Sequence, residues 1–103
     1  MDDFIKKGSG NVYEDLGYND AESMKIKSAI VSRISGIIEE RKMTQKEVSK
    51  LTGIPQSRIS NILNGQFRGV SEFRLLACLS LLGNDLEIRV KPTGGHQGKI
   101  VFA

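Results

Sequence analysis

Four side chains that can form hydrogen bonds with the edges of nucleobases lie within a short span of the chain, at Gln56, Ser57, Arg58 and Asn61. A glutamine amide can bond adenine through two atoms and an arginine guanidinium can bond guanine in the same way, while serine and asparagine make shorter polar contacts. These residue types indicate sequence-specific recognition of DNA, provided that one rigid element presents the four side chains together.

A short helix is the element that the surrounding sequence predicts. Its apolar residues follow the i, i+3, i+4 spacing of one helix face, at Ile59, Ile62 and Leu63. This face turns inward and leaves the four polar side chains on the other faces. Gly65 supplies the end of the helix.

A second short helix precedes it in the sequence. Thr44 is a suitable N-cap, and Glu47 three residues later completes a capping box. Val48 and Leu51 form the apolar stripe, and Gly53 ends the helix where a left-handed residue is required. Two short helices joined by a tight glycine-containing turn are typical of the helix-turn-helix, whose second helix enters the DNA major groove. The alternative is an ordinary helical hairpin with a solvated polar face.

Three further residues are predicted to support the contact with DNA. Gln45, near the start of the first helix of the motif, can bond a phosphate or buttress the first recognition residue. Ser60 lies on the polar side of the recognition helix. Arg68, in the glycine-bounded loop that follows, can bind the DNA backbone and fix the register without reading sequence.

The composition argues against other classes of function. The 103 residues allow one domain plus tails, and the net charge of +3 suits a surface that contacts phosphates. The chain has one cysteine, Cys78, and one histidine, His96, whereas a structural zinc site needs about four ligands. We therefore assign no catalytic residue, metal or cofactor. No long apolar run or signal sequence is present, so we expect a cytoplasmic protein without a membrane segment.

A long helix is predicted from Asp20, which can cap it, to about Lys42. Isoleucines recur in it at helical spacing and would cover the helix-turn-helix: Ile26, Ile30, Ile34, Ile37 and Ile38. Gly36 weakens this helix by roughly 1 kcal/mol relative to alanine. We interpret it as the site of a close contact with another helix.

After the motif, Ser71 is predicted to cap a helix from Glu72 to Leu82 that is apolar nearly all round and contains Cys78 as a buried thiol. A chain this small can bury one face of such a helix in its own core, but hardly two. The second face therefore predicts a partner subunit. The leucines assigned to this dimer interface are Leu75, Leu79 and Leu82.

A strand is predicted next, because Leu86, Ile88 and Val90 alternate with charged residues until Pro92 stops the pattern. One strand needs a neighbour for its backbone groups. The candidates are the same strand of a second subunit, residues 99–102 folding back, and residues 12–13. We favour the second subunit and assign the three apolar residues to the dimer interface, since a two-fold dimer also suits a palindromic DNA site.

The predicted organisation has four parts. Residues 1–19 form a flexible N-terminal segment, 20–83 the DNA-binding domain, 84–92 the dimerisation strand, and 93–103 a tail. Val12, Tyr13 and Leu16 are apolar residues within the N-terminal segment, and they either pack on the domain or wait for a partner.

The stretch from Leu51 to Gly65 resembles the helix-turn-helix of the XRE, or phage-repressor and Cro-like, family. The wider layout is similar to a small antitoxin branch, in which a segment like 9–17 precedes the first helix and a strand like 85–90 closes the domain. The resemblance implies a mainly α, lambda-repressor-like domain of four to five helices. A short C-terminal β-strand would pair across a dimer.

The HigA-like branch implies a homodimer that binds double-stranded DNA at the operator of its own operon. It also implies neutralisation of a RelE-like toxin, an mRNA-cleaving nuclease. By position, the DNA-reading set would be Gln45, Gln56, Ser57, Arg58 and Asn61. The residues near phosphates would be Thr44, Asn64 and Arg68.

Two questions stay open within this resemblance. Many members of the family carry Ser or Thr where this chain has Pro55, so the recognition helix begins at Pro55 or at Gln56. The N-terminal residues Val12, Tyr13 and Leu16 are the candidates for toxin contact. The rival interpretation is a phage-type or stand-alone regulator without a toxin, which would share every DNA contact.

Overall fold

A computed structural model describes residues 20–102, and these form four helices. Helix α1 spans Asp20–Glu40, α2 spans Gln45–Thr52, α3 spans Gln56–Leu63 and α4 spans Glu72–Leu81. Within the described range no residue is assigned to a strand. The prediction of a mainly helical domain is confirmed, whereas the predictions for the N-terminal segment, including Val12, Tyr13 and Leu16, lie outside the described residues.

Helix α1 begins at Asp20 and ends two residues before the predicted limit, at Glu40. Lys42 then takes a positive φ of 53°, which turns the chain toward α2. Gly36 is exposed, and a Cβ atom built on it would meet no atom of residues 20–102 within 4 Å. None of the described helices therefore makes the close contact that we predicted at Gly36.

The core forms where α1 packs against α4 and α2 packs against α3. Its most deeply buried side chains come from three of the helices: Ile30, Val48, Leu75 and Leu79. Cys78 is also buried, as predicted, and burial raises the pKa of its thiol. Leu51, expected to share the stripe of Val48, is exposed instead.

Helix α4 corrects part of the dimer prediction. Its N-cap is Ser71, as expected, and the Ser71 hydroxyl accepts a hydrogen bond from the backbone N–H of Arg74. Leu75, Leu79 and Leu82, however, lie in the core of the single chain. They are covered because this face of α4 packs against α1, so they are not available to a second subunit. The exposed apolar residues of the helix are Phe73 and Leu81.

The segment after α4 corrects the strand prediction. Gly83, with φ of 95°, ends the helical region, and no strand is assigned from residue 84 to residue 102. Residues 97–102 return to α1, where Phe102 packs against the core. Among residues 20–102 the predicted strand thus has no neighbouring strand, and Leu86, Ile88 and Val90 are exposed. The candidate neighbour at residues 12–13 lies outside the described residues. Pairing with a second subunit stays a prediction.

Candidate nucleic-acid interface

Helix α2 starts with the capping box that the sequence predicts. The hydroxyl of Thr44 accepts from the backbone N–H of Glu47 at 3.1 Å, and the Glu47 carboxylate accepts from the N–H of Thr44 at 2.8 Å. Hydrogen bonding of the Glu47 carboxylate, first to the backbone N–H of Thr44 and second to the Thr44 side chain, lowers the pKa of Glu47 below its usual value. Because both donors are backbone or local groups, the start of α2 is fixed by its own sequence.

The turn between α2 and α3 is fixed by hydroxyl groups that the sequence analysis did not single out. Gly53 is left-handed, with φ of 75°, and its N–H donates to the carbonyl of Ser49 at 2.8 Å. The Ser49 hydroxyl donates to the carbonyl of Ile54 at 2.6 Å. The Thr52 hydroxyl donates to Val48 O at 2.8 Å and accepts from Ile54 N at 3.2 Å. Hydroxyl residues just before a Gly-x-Pro turn were the available signal.

Helix α3 answers the question of where the recognition helix begins. Its N-cap residue is Pro55, so the first helical residue is Gln56, and no side chain caps the helix. Ile59 and Ile62 are buried and Leu63 is partly buried, which confirms the predicted inner face. The helix is therefore attached to the core along one side only.

The side chains predicted to read bases lie on the exposed part of α3. The exposed members are Gln56, Ser57, Arg58 and Asn61. The supporting residues divide by exposure: Thr44, Asn64 and Arg68 are exposed, whereas Gln45 and Ser60 are partly buried. The fold thus carries all four predicted base-reading side chains on one eight-residue helix.

The loop after α3 is anchored at both ends. Gln66 N donates to Asn61 O at 2.8 Å, and Val70 N donates to Phe67 O at 3.0 Å. Phe67 and Val70 are buried in the core on either side of Arg68. These anchors restrict the backbone of the loop while the Arg68 side chain stays in solvent.

The first two turns of α1 hold this loop through polar contacts that we name the α1 clamp, formed by Asp20, Ser23 and Lys27. Asp20 forms an ion pair with the guanidinium of Arg68. The Lys27 ammonium donates to the carbonyl of Arg68 at 2.6 Å. The Ser23 hydroxyl donates to the carboxylate of Glu72 at 2.9 Å.

Burial shifts the pKa values of Lys27 in the α1 clamp and of Glu72, the partner of Ser23. Desolvation lowers the pKa of Lys27, although nearby Asp20 acts in the opposite direction. Desolvation also raises the pKa of Glu72. The α1 clamp was not predicted from the sequence. The available signal was that Ser23 and Lys27 lie four positions apart, on the same face as the buried isoleucines of α1.

No group of three or more His, Cys, Asp or Glu side chains within residues 20–102 is placed to hold a metal ion. No helix in that part of the chain is long and apolar enough to cross a membrane.

Comparison with known proteins identifies the family of this domain. A family model described as "Helix-turn-helix domain" matches residues 12–91. A solved structure named "Putative XRE Family Transcriptional Regulator" superposes with a TM-score of 0.72 at 28% sequence identity, covering 82% of this chain and 97% of that one. No curated protein gives a significant match. The chain belongs to the helix-turn-helix domain family, and α2 and α3 are the two helices that define its motif.

Proposed function

We propose that this chain is a sequence-specific DNA-binding repressor of transcription of the XRE type. The observation that carries the proposal is the division of α3 into two faces. Ile59 and Ile62 attach the helix to the core, and the base-reading types of side chain stand on its exposed part. The family match and the XRE-like solved structure support the same function.

In the proposed complex, α3 lies in the major groove with its N-terminal residues toward the bases, as in other helix-turn-helix proteins. In this complex Gln56 bonds adenine and Arg58 bonds guanine, as their side-chain types favour. The exposed groups Thr44, Asn64 and Arg68 contact phosphates at the two ends of the motif, which fixes its register.

Selection of DNA sequences from a random library by the full chain tests this proposal, and we expect one preferred sequence. Arg58→Ala should weaken binding to it by about 1–3 kcal/mol and relax the preference at one base pair. Arg33, exposed on α1, provides the matched control. Arg33→Ala removes the same charge and should cause a smaller loss that is equal on every sequence. Equal loss with Arg58→Ala would make Arg58 a phosphate contact, and failure to select any sequence would contradict the proposal.

A homodimer is the second part of the proposal. One recognition helix reads only a few base pairs, and two copies related by a two-fold axis would read a palindromic operator. Five exposed apolar residues on α4 and the segment after it support it: Phe73, Leu81, Leu86, Ile88 and Val90. Pairing of the 86–91 segment with its copy would satisfy the backbone groups of both segments and bring Leu86, Ile88 and Val90 of the two copies together.

Sedimentation of the full chain at micromolar concentration tests the dimer. Ile88 has 89% of its surface exposed, so Ile88→Asp should leave the protomer folded while it abolishes both the dimer and the operator affinity. Ile100→Asp, at another exposed isoleucine outside the proposed interface, is the control and should remain dimeric. A monomeric wild-type chain would contradict this part of the proposal.

We further propose that the protein is the antitoxin of a type II toxin-antitoxin operon and neutralises a RelE-like toxin. The family match starts at residue 12, so it includes Val12, Tyr13 and Leu16, our candidates for toxin contact. Co-expression with the product of the adjacent gene tests the role. Co-purification, together with arrest of translation by that product alone, would support it. An adjacent product that neither binds nor stops translation would favour a stand-alone regulator.

A further inference from the structure

Helix α1 contacts both the backbone carbonyl and the side-chain guanidinium of Arg68. Its carbonyl oxygen accepts from the buried Lys27 ammonium at 2.6 Å, and its guanidinium pairs with the Asp20 carboxylate. The two contacts differ in exposure. Lys27 lies beneath the loop, whereas the side chains of Arg68 and Asp20 are 66% and 62% exposed.

This difference separates a fixed contact from an exchangeable one. The Lys27 hydrogen bond, together with buried Phe67 and Val70, restrains the loop backbone. The ion pair on the surface is weak, because water and salt screen it. A DNA phosphate offers a guanidinium the same kind of charged oxygen acceptors as a carboxylate does. Arg68 can therefore change partner from Asp20 to a phosphate by side-chain rotation while the loop stays in place.

We propose that Asp20 is an internal competitor of the DNA phosphate for Arg68. In the free protein the Asp20 carboxylate is paired with the Arg68 guanidinium. DNA binding requires that this ion pair be exchanged for the contact between Arg68 and a phosphate. Lys27 is the positioning residue that keeps the backbone of Arg68 in place during the exchange. The inference rests on the proposed DNA-binding function, and it assigns Asp20 a role that lowers affinity equally for all DNA sequences.

The decisive variant is Asp20→Asn, which keeps the size of the side chain, removes its charge and leaves a residue that is favourable at a helix start. Exposed ion pairs of this kind correspond to roughly a twofold to fivefold effect on an equilibrium constant. We therefore expect Asp20→Asn to bind DNA about twofold to fivefold more tightly per protomer, on the preferred sequence and on a scrambled one alike. A gain of affinity is a readout that damage to the fold would not produce.

Fluorescence anisotropy with both duplexes, over a series of salt concentrations, compares four variants with the wild-type chain. Arg68→Gln should weaken binding and reduce the slope of log affinity against log salt by about 1 per protomer. The double variant Asp20→Asn with Arg68→Gln should bind like Arg68→Gln alone, because without the Arg68 guanidinium the Asp20 carboxylate has no phosphate contact to compete with. Glu40→Gln is the matched control, since it removes one exposed carboxylate at the other end of α1, and it should bind like the wild type.

Three results would overturn the inference while DNA binding itself stands. Asp20→Asn could bind no more tightly than the wild type, or Glu40→Gln could give the same gain. The double variant could also retain the full gain, which would mean that net charge rather than Arg68 is responsible. Failure of the wild-type chain to bind either duplex, or any duplex from the selected library, would instead remove the proposed function and this inference with it.

Discussion

Truncation of Leu79 separates a core residue from an interface residue on the same helix. Leu79 has 2% of its surface exposed within the single chain, whereas Leu81, two residues later, has 52% exposed. Leu→Ala changes in a packed core cost about 2–5 kcal/mol, because they lose burial and leave a cavity. A domain has only about 5–15 kcal/mol of stability in total. Leu79→Ala should therefore remove a large share of the free energy of unfolding.

The expected fall in Tm follows from that cost. For a domain of 60–100 residues each 1 kcal/mol corresponds to about 4–8 °C, so Leu79→Ala should lower Tm by at least about 8 °C. Leu81→Ala, as the matched control, should change the free energy of unfolding by less than about 0.5 kcal/mol per protomer. Both variants are measured by thermal unfolding, monitored by circular dichroism, at protein concentrations too low for the dimer to form.

Concentration dependence decides between the two roles of Leu79. A core residue destabilises the protomer at every protein concentration. An interface residue would lower Tm only where the dimer is populated, since association stabilises the folded state by mass action. If Leu79→Ala loses no stability at low concentration, or loses less than Leu81→Ala, then the packing of α4 on α1 described above is wrong.

Three further changes test the local structure around the motif by thermal and urea unfolding. Gly36→Ala should stabilise the chain by roughly 1 kcal/mol without altering DNA affinity, because the added Cβ meets no described residue within 4 Å in an exposed helix interior; a loss of stability would contradict this. Gly53→Ala should cost at least about 1 kcal/mol, because φ is 75° there; a neutral effect would show that the turn can rearrange. Thr44→Ala should cost about 0.5–2 kcal/mol. It should also reduce part of the acid sensitivity of the fold, because it removes the hydrogen bond of the Thr44 side chain and keeps that of the Thr44 backbone, which is the larger cause. The pKa of Glu47 is lower in the folded state than in the unfolded state. Ionised Glu47 therefore stabilises the fold at pH values above the unfolded-state pKa, and this stabilisation is lost as the pH falls through the folded-state pKa. If the stability of Thr44→Ala falls with decreasing pH as steeply as that of the wild type, the coupling is contradicted.

The features that sequence reasoning predicted correctly depend on residues close together in the chain. The side chains of Thr44 and Glu47 accept hydrogen bonds from each other's backbone N–H groups, three positions apart. The Ser71 side chain likewise accepts from the backbone N–H of Arg74. Gly53 supplies the left-handed conformation directly where it stands. Each of these features needs only local stereochemistry, so the ends of α2 and the start of α4 follow from the amino-acid types.

The faces of α4 could not be assigned in this way. Periodicity identifies a buried face by contrast with a polar one, and a helix that is apolar nearly all round gives no such contrast. Leu79 and Leu81 are the same residue type two positions apart, and packing against α1 alone decides which of them is buried. The orientation of the helix is thus a tertiary property.

The α1 clamp was missed for a related reason. Lys27 and Arg68 are 41 positions apart, and Ser23 and Glu72 are 49 positions apart. Charged and hydroxyl residues on a helix are expected in solvent, and their burial is compensated only by partners that the fold brings to them. The pattern of one helix contains no information about which distant carbonyl or carboxylate will be that partner.

The recognition helix connects stability with DNA binding. Helix α3 has eight residues, whereas isolated helices shorter than about 12–15 residues are marginal in water. It therefore owes its shape to Ile59 and Ile62 in the core. Leu79→Ala should consequently leave the affinity of each folded molecule unchanged and lower the fraction that is folded, whereas Arg58→Ala should lower the affinity at an unchanged Tm. Measuring both quantities for both variants distinguishes a side chain that supports the reading helix from one that reads DNA.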